Sequence, residues 1–324
     1  MKDGQNRQID YMRISITDRC NLRCVYCMPE EGIACMSHEE ILSFEEIGRV
    51  VKAASNLGVK KIKLTGGEPL VRKNVVHLVH MLKHELHMEQ VTLTTNGVLL
   101  EEMALDLKKA GLTAVNISLD TLDEKQFANI TRREQLPAVL KGMKECVRVG
   151  LSTKINCVPV KERNEKELIQ IAMLAKEYPI AVRFIEMMPI GYGKQYTAIS
   201  NDEILRRLEE VFGKATLSKK CYGNGPAVYY EFEGFQKGIG FISAVSHEFC
   251  ESCNRIRLTS DGILKLCLHH KSGLDIRTLL RNGITETELT QVLEQSILHK
   301  PVSHQFHQEV IDEEETRTMV QIGG

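Results

Sequence analysis

Short β-branched runs alternate with longer helical patterns over the first two thirds of the chain, and this alternation constrains the fold most strongly. Strands that alternate with helices predict a parallel sheet with helices outside it. A closed eight-unit barrel needs about 250 residues, whereas only about 210 precede Gly213. We therefore predict an α/β fold of the open kind, an incomplete (β/α)6 TIM-type barrel.

Six strand–helix units carry this prediction. The predicted strands are residues 11–17, 60–65, 91–95, 113–119, 153–158 and 181–186, and the predicted helices are residues 42–57, 75–86, 101–110, 137–149, 165–178 and 201–212.

The pattern changes after Gly213. Antiparallel strands are predicted at 228–232 and 238–243, a hairpin around Asp261-Gly262 at 255–259 and 263–267, and helices at 274–281 and 286–298. The last eight residues are expected to be flexible on composition alone. We expect two domains, a barrel of residues 1–212 and a C-terminal antiparallel β and helical extension of residues 213–324.

The charge balance excludes some classes of protein. Forty-two basic residues face 43 acidic ones, a net charge of -1, which does not suit a bulk-charge nucleic-acid binder or a basic membrane-surface protein. No apolar run reaches the ~18 residues of a spanning helix. The first ten residues lack the apolar core of a secretory signal. We expect a cytoplasmic protein without nucleic-acid or membrane partners.

Ten cysteines are the unusual part of the composition. In a reducing cytosol, clustered cysteines bind metal or do redox chemistry more often than they form disulfides. Six of them form two groups of three: Cys20, Cys24 and Cys27, then Cys250, Cys253 and Cys267. The other four, which are Cys35, Cys146, Cys157 and Cys221, are expected to be buried thiols.

The first group, Cys20-x3-Cys24-x2-Cys27, follows the first predicted strand. Three thiolates can hold three corners of a cubane [4Fe–4S] cluster and leave one iron open to a non-protein ligand. A three-cysteine zinc site, or three buried thiols, are the alternatives that the spacing alone leaves open.

The neighbours of this group favour the cluster. Tyr26 lies between the second and third cysteines, where an aromatic ring can pack on an adenine. The second predicted strand ends in Gly66-Gly67-Glu68-Pro69. Paired glycines allow a close backbone approach, and Glu68 can accept from an ammonium group. Alone, the glycine motif would suggest only a turn.

Together these residues closely resemble the radical S-adenosylmethionine superfamily. The resemblance implies that the open iron chelates the amino and carboxylate groups of S-adenosylmethionine. It also implies that one electron from the cluster cleaves the sulfonium to methionine and a 5′-deoxyadenosyl radical, with the protein positioning and shielding the chemistry.

The second group, Cys250-x2-Cys253-x13-Cys267, again has three thiols and no obvious fourth. Cys253 and Cys267 bracket the predicted hairpin, so both can point to one place. A structural zinc site is the alternative. Arg255 and Arg257 point the same way on a strand and could hold a triphosphate, although a solvated basic edge is common for such a pair.

With Asn254-Arg255-Ile256-Arg257 and the terminal Gly-Gly, the resemblance narrows to the GTP 3′,8-cyclase family of molybdenum cofactor (molybdopterin) biosynthesis. It implies a lyase that converts GTP to 3′,8-cyclo-7,8-dihydro-GTP. It also implies a second [4Fe–4S] cluster that binds the guanine edge. Cyclic pyranopterin monophosphate synthase is the implied pathway partner and a reductant protein the electron source, with a homodimer as one option for assembly.

The same resemblance assigns site residues. The implied S-adenosylmethionine contacts are Tyr26, Gly66, Gly67, Glu68, Ser118 and Met188. The implied GTP contacts are Arg13, Lys63, Thr94, Lys154, Arg183, Arg255 and Arg257. The implied catalytic set is Cys20, Cys24, Cys27, Gly323 and Gly324, the two glycines entering the active site from the tail. Lys63 stands where an arginine is expected, which keeps the charge but loses bidentate geometry.

Two other classes remain as alternatives. One is a peptide-modifying radical S-adenosylmethionine maturase, which typically carries more C-terminal cysteines than the three present here. The other is a non-enzymatic interaction module that binds two zinc ions.

Overall fold

The structure is a computed structural model that describes residues 1–220, 222–247, 249–304, 306, 315 and 317–323. Its strands are β1 (Tyr11–Ser15), β2 (Lys61–Thr65), β3 (Gln90–Thr95), β4 (Ala114–Ser118), β5 (Ser152–Cys157), β6 (Ala181–Ile185), β7 (Thr216–Leu217), β8 (Val228–Glu231), β9 (Ile239–Ile242), β10 (Arg255–Leu258), β11 (Ile263–Lys265) and β12 (Leu274–Asp275). Its α-helices are α1 (Phe44–Asn56), α2 (Val75–His80), α3 (Leu100–Lys109), α4 (Glu124–Thr131), α5 (Leu136–Arg148), α6 (Leu168–Glu177), α7 (Asn201–Phe212), α8 (Ile276–Arg281), α9 (Glu286–Leu298) and α10 (Met319–Ile322).

The first six strands pair in chain order, and every pairing is parallel. Helices connect them and pack on the outer face, because apolar strand residues such as Ile14, Leu64 and Leu93 are fully buried there. The order of the sheet is β12-β11-β10-β1-β2-β3-β4-β5-β6-β9-β8-β7, so its two ends do not pair among the described residues. The prediction of an α/β fold with an incomplete barrel is confirmed.

The C-terminal strands extend the barrel at both edges. The two hairpins are antiparallel as predicted, β8 with β9 and β10 with β11. Each hairpin, however, joins the barrel through a parallel pairing, β10 with β1 and β9 with β6. Eight strands are therefore parallel rather than six. The local hairpin pattern could not predict this, because a strand's sequence does not specify which distant strand it pairs with.

Several local elements differ from the prediction. Helix α4 was not predicted, although Asp123 caps it through the Gln126 N–H, a recognisable start signal. The helix predicted over 75–86 changes to a π-helical segment at Met81–Glu85. Leu274–Asp275 forms a short strand, and the helix begins only at Ile276.

The C-terminal segment is ordered where flexibility was expected. Helix α10 has a capping box between Thr318 and Gln321, and it buries Val320 and Ile322. The expectation of a frayed tail is therefore wrong for Met319–Ile322, because two apolar side chains find a buried place.

Contrary to expectation, the four cysteines outside the two groups are not all buried. Cys146 and Cys157 are buried as predicted, but Cys35 is exposed, so that expectation is wrong. Cys221 lies outside the described residues. In the described part of the chain, no helix has the length and apolarity to cross a membrane.

Candidate active site

A cavity of about 910 Å³ lies inside the curved parallel sheet and is lined from all eight parallel strands. Apart from Gly323, every predicted site residue in the described chain lines it. These are Arg13, Cys20, Cys24, Tyr26, Cys27, Lys63, Gly66, Gly67, Glu68, Thr94, Ser118, Lys154, Arg183, Met188, Cys250, Cys253, Arg255, Arg257 and Cys267. Residues from distant parts of the chain thus line one cavity.

The first cysteine group occupies the loop after β1. Burial raises the pKa of Cys20 to about 11 and that of Cys27 to about 12, and it raises the pKa of Cys24 well above its usual value. The Val320 N–H of α10 donates to the Cys27 sulfur. Desolvated thiols of this kind ionise when they ligate iron, whose positive charge offsets the burial. The donor set therefore fits an iron–sulfur cluster.

Gly66 and Gly67 hold the end of β2 against this loop. The Gly67 N–H donates to the Thr17 carbonyl at 2.6 Å, and a Cβ on Gly67 would lie 2.3 Å from the Arg19 oxygen. A Cβ on Gly66 would lie 2.6 Å from the Thr17 oxygen. The absence of side chains on the two glycines therefore allows the end of β2 to pack closely against the backbone of residues 17–19.

Glu68 is 1% exposed, and most of its acceptor capacity is already used. Oε1 accepts from the Leu70 N–H at 3.0 Å and from Thr95 Oγ1 at 2.7 Å, while Oε2 accepts from the Asn96 N–H at 2.7 Å. A carboxylate oxygen has two lone pairs, so Oε2 retains one for an ammonium donor. Burial raises the pKa of Glu68 to about 7.

Tyr26 is held by a partner that the sequence did not reveal. Its hydroxyl donates to Asp120, which follows β4 and also accepts from the Val158 N–H at 2.8 Å. Burial raises the pKa of Asp120 to about 6. The position of Asp120 at a strand end was the available signal. These contacts fix the Tyr26 ring at the cavity wall.

Three cations form a row across adjacent strands. Arg257 on β10, Arg13 on β1 and Lys63 on β2 occupy one register position, and all three line the cavity. Burial lowers the pKa of Lys63 well below its usual value, and the charges of Arg183 and Arg13 lower it further. Such a row is electrostatically unfavourable by itself and attracts a polyanion.

A second row crosses β3, β4 and β5. Thr94, Asn116 and Lys154 lie in register, and the Asn116 Oδ1 accepts from Arg183 Nη2 at 2.7 Å. Asn116 was not predicted, because a single buried amide on a strand has no distinguishing pattern. Its side chain contacts the Thr94 hydroxyl and the Arg183 guanidinium, and it lies in register beside Lys154.

The second cysteine group surrounds the hairpin. Cys250 begins a 3-10 turn at Cys250–Ser252, and Cys253 follows directly after it. Cys267 lies just after β11. Burial alone would raise the pKa of Cys253, but the charges of Lys300 and Arg255 outweigh it and lower the pKa to about 7. Lys300, missed from the sequence, is buried and lines the cavity.

No three His, Cys, Asp or Glu side chains in the described ranges converge as ligands of one metal ion. A [4Fe–4S] cluster instead binds each thiolate through a different iron.

The tail reaches the strand ends beside the first group. The Gly323 carbonyl accepts from Arg257 Nη1 at 3.3 Å, and Gly323 has a φ of 77°. A Cβ on Gly323 would lie 2.6 Å from the Ser15 Cβ. Gly324 lies outside the described residues. Further back, Glu315 forms a buried ion pair with Lys265.

Comparisons with known proteins agree with this arrangement. The model of the radical SAM superfamily matches residues 14–175, and the model described as Molybdenum Cofactor Synthesis C matches residues 180–306. The GTP 3′,8-cyclase of Clostridium perfringens (strain 13 / Type A) is 45% identical over 324 residues, 100% of each chain. The chain belongs to the GTP 3′,8-cyclase family. A GTP 3′,8-cyclase from Desulforamulus reducens is 47% identical over 328 residues, again 100% of each chain.

Solved structures add the fold. Streptococcus suis SuiB bound to S-adenosylmethionine is 17% identical, with a TM-score of 0.61, over 88% of this chain and 68% of that one. The SuiB complex with precursor peptide SuiA gives a TM-score of 0.60 at 16% identity, over 92% and 66%. As a GTP 3′,8-cyclase family member within the radical SAM superfamily, the chain uses S-adenosylmethionine and a [4Fe–4S] cluster.

Proposed function

We propose that the chain converts GTP to (8S)-3′,8-cyclo-7,8-dihydroguanosine 5′-triphosphate, the first step of molybdenum cofactor biosynthesis. The observation that carries the proposal is the row of Arg257, Arg13 and Lys63, which shares one cavity with both cysteine groups. A triphosphate supplies the negative charge that this row lacks. A peptide substrate or a structural zinc module does not explain the row.

The first cysteine group holds the cluster that activates S-adenosylmethionine. Cys20, Cys24 and Cys27 would hold this cluster, which together with bound S-adenosylmethionine would supply the radical that takes a hydrogen atom from GTP. Glu68 accepts from the ammonium group through its remaining Oε2 lone pair, and Tyr26 packs on the adenine. Gly66, Gly67, Ser118 and Met188 complete the walls of this subsite.

The cationic side of the cavity binds GTP. Arg13, Arg255 and Arg257 grip the triphosphate, with Lys63 as a point charge beside them. Thr94, Lys154 and Arg183 line the facing wall and orient the nucleoside, supported by the contact between Arg183 and Asn116. Holding C3′ and C8 in one orientation lowers the entropic part of the barrier to ring closure.

Cys250, Cys253 and Cys267 hold a second [4Fe–4S] cluster with one iron left for the guanine edge. Two observations support this: the three thiols line the same cavity as the cations, and Lys300 stabilises the thiolate form of Cys253. Gly323 closes the site beside Arg257, and Gly323 and Gly324 both have a catalytic role.

The remaining proposals concern organisation and partners. Residues 1–212 form the radical domain, supported by the packing of α7 on α6, and residues 213–324 form the extension that carries the second cluster. The enzyme works in the cytoplasm, receives electrons from a reductant protein and passes its product to cyclic pyranopterin monophosphate synthase. A homodimer is the proposed alternative to a monomer.

The test is anaerobic incubation with GTP, S-adenosylmethionine and reductant, followed by mass analysis. We expect a product with the mass of GTP and a new C3′–C8 bond, together with methionine and 5′-deoxyadenosine. Iron and labile sulfide should be present for two clusters, and the brown absorption should fade in air. A colourless protein with two zinc ions and no labile sulfide would overturn the proposal.

A further inference from the structure

We propose that Arg7, held by Asp3, is a positioning residue for the second cysteine group, an inference that rests on the second cluster of the proposed function. Both residues belong to the segment before β1, which has no role in the site described above. Arg7 is 7% exposed and Asp3 is 5% exposed. Their ion pair joins Arg7 Nε to Asp3 Oδ2 at 2.6 Å.

The Arg7 guanidinium is fully bonded. Nη1 donates to the carbonyls of Cys250 at 3.0 Å and Val302 at 2.7 Å. Nη2 donates to the carbonyls of Pro301 at 2.6 Å and Lys300 at 3.3 Å. With Nε on Asp3, all five N–H donors of the side chain have acceptors. Because the guanidinium is planar and all its donors are used, it fixes the relative positions of the four backbone carbonyls that it contacts.

Asp3 fixes the guanidinium in turn. Its Oδ1 accepts from the backbone N–H groups of Gln5 and Arg7, both at 2.9 Å, while Oδ2 accepts from Arg7 Nε. The segment is also attached to the rest of the chain, because the Gly4 N–H donates to the Leu298 carbonyl at 3.2 Å. The Arg7 guanidinium therefore extends from a turn that these hydrogen bonds hold in place.

The carbonyls that Arg7 joins belong to two segments, one that carries Cys250 and one that makes hydrogen bonds to the second cysteine group. One is the Cys250 turn, and the other is the segment 300–304. From that segment Lys300 donates to the Leu266 carbonyl, beside Cys267, and bonds to Cys253, while the His304 N–H donates to Cys250 Sγ at 3.5 Å. One guanidinium thus sets the spacing between the groups that surround all three cysteines.

A lysine at position 7 cannot replace this guanidinium. It has one ammonium centre and three donors, so carbonyls would lose their partners in a buried place. We expect the Cys250 turn and the 300–304 segment to separate. Outer-shell partners of metal ligands commonly matter in this way for metal affinity. The first cysteine group lies after β1, and the five side-chain hydrogen bonds of Arg7 described above go to other residues.

The experiment measures each cluster alone in the full-length chain. One background carries Cys20, Cys24 and Cys27 changed to Ala, so that only the second cluster loads; the other carries Cys250, Cys253 and Cys267 changed to Ala. Arg7→Lys and Asp3→Asn are made in both. Arg49→Lys is the matched control, because Arg49 also joins a distant carbonyl, that of Ile284, at 2.5 Å.

We expect Arg7→Lys to lower iron and sulfide at least twofold in the second-cluster background and to alter the electron paramagnetic resonance signal of the remaining cluster. Asp3→Asn should act in the same direction more weakly. Arg7→Lys and Asp3→Asn should leave the iron content of the first-cluster background unchanged. Arg49→Lys should leave the iron content of both backgrounds unchanged. Circular dichroism of each variant checks that it folds.

Three results would overturn the inference, and they are distinguishable. If the second-cluster background binds no iron even with Arg7 intact, the protein has no second cluster and the inference is wrong for that reason. Normal iron and an unchanged signal in Arg7→Lys would remove the role of Arg7 alone. Equal loss of iron in both backgrounds would show a general effect on folding rather than positioning.

Discussion

Arg13 and Arg257 lie side by side at one register position of the parallel strands β1 and β10, although more than two thirds of the chain separates them. Burial lowers the pKa of both guanidiniums, that of Arg257 well below its usual value. Water screens their repulsion poorly inside the cavity. The fold therefore maintains a charge arrangement that is unfavourable until an anion binds.

Removing one of these charges should weaken substrate binding without lowering the stability of the protein. Arg257→Gln should weaken GTP binding by roughly 10- to 100-fold, since charge-assisted hydrogen bonds contribute about 1.5–3 kcal/mol each. The melting temperature of the nucleotide-free protein should stay level or rise, because repulsion is relieved. Isothermal titration and thermal melting measure the two quantities.

Arg148→Gln is the matched control, because Arg148 is exposed and pairs with Glu145 on the same helix. Uncoupled cleavage of S-adenosylmethionine should persist in Arg257→Gln, as it should in Arg255→Ala. Equal loss of GTP use and of uncoupled cleavage would indicate a structural role for these arginines instead.

Gly323→Ala should block formation of the cyclised nucleotide. The new Cβ would meet the Ser15 Cβ at 2.6 Å and would also strain a backbone with a φ of 77°. Iron content and uncoupled S-adenosylmethionine cleavage should be retained. Gly283→Ala is the control, because Gly283 has a φ of 84° but no atom within 4 Å of the added Cβ. Full product formation by Gly323→Ala would contradict the role of the tail.

The buried pair of Lys265 and Glu315 should hold the tail in place. Lys265 is 0% exposed, and burial lowers its pKa to about 7 even with Glu315 beside it. Glu315→Gln leaves this amine without its carboxylate, a change that typically costs about 3–5 kcal/mol. We expect faster proteolysis within the tail and less cyclised product, measured by digestion time courses and mass analysis.

The double variant Lys265→Met with Glu315→Leu removes both charges together. An apolar pair of similar volume is often neutral or stabilising, so slow proteolysis should return. If Glu315→Gln alone leaves the digestion rate unchanged, the pair does not anchor the tail.

Glu68 should give the protein a defined pH dependence of stability. Burial raises its pKa to about 7, so between the ordinary value of 4.5 and 7 the folded state binds a proton that the unfolded state has released. The contribution of Glu68 to the free energy of unfolding therefore falls as pH rises through this window, by about 3 kcal/mol, and is level above it.

Glu68→Gln removes this titration. The free energy of unfolding of the unsubstituted protein minus that of Glu68→Gln should decrease from pH 5 to pH 7 and then remain constant. Denaturant titrations of cluster-free protein at pH 5, 6, 7 and 8 measure the difference. A difference that does not change with pH would mean that Glu68 titrates as in solvent.

The barrel and both cysteine groups could be predicted because their signals are local. The period-2 pattern placed Arg13, Lys63 and Arg257 on strands, and cysteine spacing identified two groups of thiols. The parallel attachment of β10 to β1 could not be predicted, because no local pattern names a distant partner. The same holds for Arg7 and Asn116, whose importance lies in contacts with remote backbone and side chains. Helix α10 forms because Val320 and Ile322 find a buried place.

The seam between β1 and β10 has a consequence for biosynthesis of the protein. On the ribosome, β1 emerges early, yet its edge stays uncovered until residue 258 has been made and the loop between the two strands has closed. Closing so long a loop is slow, and unpaired edges invite aggregation in the meantime. The row of Arg257, Arg13 and Lys63 is therefore complete only after more than two thirds of the chain has been made, so a truncated nascent chain has the first cysteine group without the full row of cations.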